Sequence, residues 1–134
     1  MIGFDVLFEK DYSKKELKKS IILFYDEITN EQEILICTDL LKVEIKDNVK
    51  VIIEELDGKG DFKKILMFQF LFQESTFKRS NIDFIKLLSA KFKIKILFPD
   101  NSLDPFSYYL VNGENSELVS LNFELYNDGI YELD

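Results

Sequence analysis

The 134 residues contain no histidine and no tryptophan, one cysteine, two prolines and five glycines. Without histidine there is no Ser-His-Asp or Cys-His nucleophile arrangement, and the commonest general base and metal ligand are missing. The lone Cys37 ends the apolar run Ile34-Leu35-Ile36-Cys37, so no intrachain disulfide can form and no zinc site can be built on thiolates. In that setting the thiol reads as inert core, and one unpaired cysteine suits a reducing compartment. Scarce glycine also removes a phosphate-cradling loop: Gly58-Lys59-Gly60 is too short, lacks the Lys-Ser/Thr ending and reads as a surface turn. Apolar runs reach only about five residues, against the ~20 needed to cross a bilayer. The start, Met1-Ile2-Gly3-Phe4-Asp5, carries neither a basic segment nor a long apolar one, so no signal peptide is expected. The expected location is the cytoplasm.

The most uneven absence is of positive charge. All 17 Lys and Arg lie in residues 1–95, where 17 acids balance them. Eight acids and no base follow: Asp100, Asp104, Glu114, Glu117, Glu124, Asp128, Glu132 and Asp134. The net charge of −8 therefore belongs to the last third. Such a field repels nucleic acid and anionic lipid and attracts basic protein surfaces, without bearing on fold. Lys14, Lys15, Lys18 and Lys19 form the densest basic cluster, which reads as a solvated helix face because Glu16 lies among them and acids balance the region. Neither nucleic acid nor membrane is an expected partner.

What the chain has in plenty is core material: 46% hydrophobic residues, with 13 Phe and 6 Tyr. That suffices for one globular domain over 1–134 without disulfide or metal staples. Sixteen Lys against one Arg, with many Ile, Phe and Asn, fits an AT-rich, bacterial genome. Alternation predicts strands over 3–9, 33–38, 43–46, 49–56, 64–73, 93–98, 106–111, 117–125 and 130–133. The strand over 64–73 is apolar on both faces and is expected inside its sheet. Asp47-Asn48, Asn112-Gly113 and Asn127-Asp128-Gly129 are turn signals. Ser13-Lys-Lys-Glu16 reads as a capping box opening a helix that runs to about residue 28; the alternative is a shorter helix followed by a hairpin of 21–26 with 33–38. Ser80-Asn-Ile-Asp83 opens a second helix with Ile85, Leu88 and Phe92 on its buried stripe. The expected fold is α+β: a largely antiparallel sheet with two main helices packed on it and a C-terminal third that is all β.

Carboxylates could still do chemistry in pairs, but Glu54-Glu55 are neighbours on a strand and point to opposite faces. Asp100-Asn101-Ser102-Leu103-Asp104 has faint calcium-loop spacing, yet Pro105 stands where the sixth-position glycine belongs and Val111 where the closing Glu belongs. No metal and no cofactor are expected. The acidic third itself reads in two ways. It can serve solubility alone, or, with acids on rigid strands and tight turns beside Tyr109 and Tyr126, it can form a binding surface. On the second reading Asp100, Asp104, Glu114, Glu117, Glu124 and Asp128 supply charge, and Tyr109 and Tyr126 are outward anchors.

In this general character, a compact acidic α+β chain without catalytic residues, the sequence resembles the bacterial immunity proteins of contact-dependent inhibition and other polymorphic toxin systems. The resemblance covers the chain as a type, with no diagnostic motif, and no site residue follows from it. It implies a non-enzymatic protein that binds a cognate toxin domain, many of which are nucleases with basic clefts. Two other expectations stand beside it: an adaptor or subunit pairing through a sheet edge, and an enzyme using carboxylates alone or a divalent ion.

Overall fold

The computed structural model describes residues 2–72, 80–100 and 102–134. A seven-stranded sheet organises them. Its first strand, β1 (Ile2–Phe8), pairs antiparallel along its whole length with β5 (Lys64–Phe70), from Ile2 opposite Phe70 to Phe8 opposite Lys64. On the other side of β5 runs β3 (Val51–Asp57), and beyond it β2 (Ile34–Cys37). In the opposite direction follow β6 (Ile96–Pro99), β7 (Ser107–Asn112) and β8 (Asn115–Ser120), giving the order β2-β3-β5-β1-β6-β7-β8. Every neighbouring pair is antiparallel except β2 with β3. The fold is therefore α+β with a large, mostly antiparallel sheet, and the doubly apolar β5 is an interior strand as its pattern predicts.

Two helices cover one face. Helix α1 (Lys14–Phe24) buries Leu17, Ile21 and Phe24, and α2 (Asn81–Phe92) buries Phe84, Ile85 and Leu88. They close over Val6, Phe8, Ile53, Leu66, Phe68 and Phe70 to form the main core. The predicted capping box at α1 is half made: Glu16 N–H donates to Ser13 Oγ at 3.2 Å, while the Glu16 carboxylate lies 3.1 Å from Lys91 on α2. A complete capping box stands instead at Asn30 and Glu33.

The helix expected to reach residue 28 stops at Phe24, and no hairpin follows it. Tyr25 turns extended, which lets its ring pack against Phe70 and Phe84 and its hydroxyl donate to Asn81 Oδ1 at 3.0 Å. No strand forms at 43–46. The turn expected at Asp47-Asn48 is made, with Val49 N–H donating to Lys46 O at 3.1 Å, but its leading arm forms no strand, and β3 takes β2 as a parallel neighbour instead. The connection begins with a 3₁₀ turn (Leu40–Lys42), capped by Asp39, which accepts from Leu41 N–H at 3.1 Å.

On the reverse face, Leu7, Phe62, Leu97, Leu110 and Leu121 form a second, smaller core. It is covered by β4 (Lys59–Gly60), the short helix α3 (Phe123–Asn127) and β9 (Ile130–Tyr131), with β9 parallel to β4. The continuous strand expected over 117–125 is broken here: β8 ends at Ser120, and Asn122 caps α3 by accepting from Leu125 N–H at 3.1 Å. The side-chain bond of Asn122 to a backbone N–H competes with the ladder and starts a helix turn within an alternating pattern. Among the described residues no helix is long and apolar enough to cross a membrane.

Candidate protein interface

The C-terminal acids fall on three places around the β6–β7–β8 side. Asp100 and Asp104 lie in the loop between β6 and β7 and hold its backbone: Asp100 accepts from Ser102 N–H at 2.9 Å and Ser107 Oγ at 2.7 Å, and Asp104 accepts from Phe106 N–H at 2.9 Å. Those bonds keep the Asp100 carboxyl below its ordinary range, so it stays charged. Glu117 is opposite Leu110, and cross-strand partners share a face, so it lies on the reverse side with the second core. The exposed Glu124 and Asp128 ride on α3 and its end, on that same side. Glu114, in the β7–β8 turn, borders a depression with Asp83, Lys86 and Lys91 of α2, on the helix side. The structure thus brings Glu117, Glu124 and Asp128 to one side, holds Asp100 and Asp104 in the adjoining loop, and leaves Glu114 apart.

The two tyrosines expected as outward anchors are tied into the fold. Tyr109 is half-buried and packs against the main core on the helix side. Tyr126 lies on α3, not on a strand, and its ring meets Phe106 and Tyr131 edge-on at 5.1 and 5.7 Å. Its alternation with Glu124 lost its meaning when the helix began at Asn122. Leu118, absent from the sequence-based set, is 62% exposed on the edge strand β8, opposite Tyr109. Alternation alone could not separate it from its half-buried neighbour Val119.

Ion pairing divides the molecule. Among the described residues, the pairs within 4.0 Å join groups between Lys14 and Lys91, and none includes any of the eight C-terminal acids. Two acids of the front part are buried within the structure. Buried Glu55 accepts from the Tyr12 hydroxyl at 2.9 Å and lies 3.1 Å from Lys64. Buried Glu33 lies 2.8 Å from Lys50 and accepts from Thr29 and Asn30, and these contacts, Lys50 foremost, hold its carboxyl down to about 2. Burial, with Glu54 and Asp39 nearby, pushes the Cys37 thiol up, away from thiolate reactivity. Among the described residues no His, Cys, Asp and Glu group is arranged to hold a metal ion. Comparisons with family models, curated proteins and solved structures found no match.

Proposed function

We propose that this chain is a non-enzymatic, cytoplasmic immunity protein that neutralises a toxin by binding and blocking a basic, nuclease-type toxin domain through its acidic C-terminal side. The single observation that carries the reading is where ion pairs form: Glu16, Glu33, Asp39, Glu55 and Asp57 of the front part each have a lysine within 4.0 Å, and none of the eight rear acids has a cation within that distance among the described residues. Carboxylates held on strands, a short helix and a bonded loop meet a partner with little backbone ordering cost. Facing a cationic cleft they raise the association rate by up to about 10²–10³-fold at low salt. Glu117, Glu124 and Asp128 supply the core of that charge, with Asp100 and Asp104 beside them. The test is a triple reversal, Glu117→Lys, Glu124→Lys and Asp128→Lys, assayed for binding to the toxin domain encoded beside the gene. Binding should fall at least a hundredfold and its dependence on salt should flatten. Unchanged affinity would remove this side as the interface.

A second reading, an adaptor pairing through a sheet edge, is favoured by one observation. β8 ends the sheet, is exposed over most of its length, and carries neither Pro nor Lys to discourage an added strand. Sedimentation at two concentrations separates the readings: self-association belongs to the adaptor, a monomer to the inhibitor.

A further inference from the structure

The cap over the second core lies on the side of β6, β7 and β8. Beside it, on the reverse face of β1, β3 and β5, a depression of about 460 Å³ opens among exposed Gly3 and Asp5 and half-buried Glu54, Met67 and Gln69, with Ile52 buried beneath. Register defines its floor. Cys37, Glu54, Met67 and Asp5 form one row across four strands, and Ile52, Gln69 and Gly3 lie in the next. Leu40, on the 3₁₀ turn, makes one wall; its neighbour Leu41 is 97% exposed. Among the described residues, the ionisable side chains lining the depression are Asp5 and Glu54, on either side of Met67 and roughly 10 Å apart by two strand spacings.

These two acids differ from the other front acids bound into ion pairs. One Glu54 oxygen accepts from Leu40 N–H at 3.0 Å, and neither acid has a cation within 4.0 Å among the described residues. The Asp5 carboxylate makes no hydrogen bond there either, and burial against the sheet raises its affinity for a proton. An apolar floor with a carboxylate at each side and, among the described residues, no cation in its lining is complementary to long side chains with an aliphatic stem and a positive tip. A second copy of the chain does not fit, since face-to-face contact would bring four carboxylates together.

We infer that this open sheet face is a second docking surface, which takes an arginine- or lysine-bearing segment of a partner protein between Asp5 and Glu54 over Met67. It rests on the proposed basic partner only for the sign of the charge, and it uses none of the C-terminal acids.

The test is residue-resolved ¹⁵N NMR titration of the full chain with a hexa-arginine peptide at low salt. The variants are Asp5→Asn/Glu54→Gln, in which Gln keeps an acceptor for Leu40 N–H, and the C-terminal triple reversal. In the unaltered chain the amides of Gly3, Asp5 and Met67 should shift on titration. The neutralised pair should weaken that response at least fivefold, while the triple reversal should leave it within twofold. Shifts confined to 114–128, with none on the open face, overturn this inference and leave the acidic C-terminal reading standing. Open-face shifts that persist in the neutralised pair overturn it too. Open-face shifts lost with Asp5 and Glu54 but insensitive to the reversal support it, even if the C-terminal side proves silent. Concentration-dependent self-association that buries the open face, seen as amide shifts on dilution, would assign the surface to a second copy and overturn it.

Discussion

Lys93 is the one non-glycine residue with positive φ among those described, at 57°, and it ends α2 in the left-handed conformation. A Cβ costs energy there that glycine avoids, and glycine is the usual residue at such a helix end. Lys93→Gly should therefore raise stability, by up to about 1 kcal/mol, in urea denaturation. Gly60 is the opposite case. Its φ of 91° is joined by a close approach, since a Cβ would sit 2.8 Å from the Tyr131 carbonyl oxygen. Gly60→Ala should loosen β4 from β9 and lower the melting temperature. Glu33 sets a pH dependence whose sign follows from its bonds. Its carboxyl is held down to about 2 in the folded state, against about 4.3 in an unfolded chain. The stability it contributes is complete above the unfolded value and disappears as pH falls through the folded one. Unfolding monitored between pH 5 and 2 should show a loss that Glu33→Gln reduces.

At the scale of elements, α2 is joined to the β7–β8 hairpin by one buried hydroxyl. Ser89 Oγ donates to Ile94 O at 2.6 Å and accepts from Gly113 N–H at 2.8 Å. Ser89→Ala leaves a buried carbonyl and an amide without that partner, and should cost about 1–3 kcal/mol in denaturant unfolding. Elements with a strong single period were legible in the chain. The apolar stripe of α2 and the two-faced pattern of β5 needed nothing beyond their own residues. Three features were not legible, for distinct reasons. The parallel β2–β3 pair depends on long-range topology, so the Asp47-Asn48 turn, which does form, does not lie between two paired strands as its chemistry suggested. Tyr25 left helical conformation for contacts with Phe70 and Asn81, both far along the sequence. Asn122 capped a five-residue helix inside alternation that otherwise spells strand. The candidate interface shared these limits: the acids were countable, but their division between faces required the register of β7 with β8. The open face was hidden for the same reason, because Asp5, Glu54 and Met67 meet only through pairing of three strands distant in sequence.

Across the whole molecule, one sheet serves two unequal cores and two electrically different halves. The helix-side core holds most of the buried Phe and is bordered by the ion-paired front, while the smaller core underlies the side where negative charge is uncompensated. Mutual repulsion there is relieved by salt, so added NaCl should raise the melting temperature of the unaltered chain at low ionic strength. The triple reversal should shrink that gain. The two-residue seam between β4 and β9 has a kinetic corollary. It clasps residues 59–60 to 130–131, a span of about seventy positions, through two residue pairs. Distant pairings of this kind are late to form and early to open. In hydrogen–deuterium exchange the amides of 121–133 should lose protection well before those of β1 and β5, peeling away as a flap while the helix-side layer stays shut.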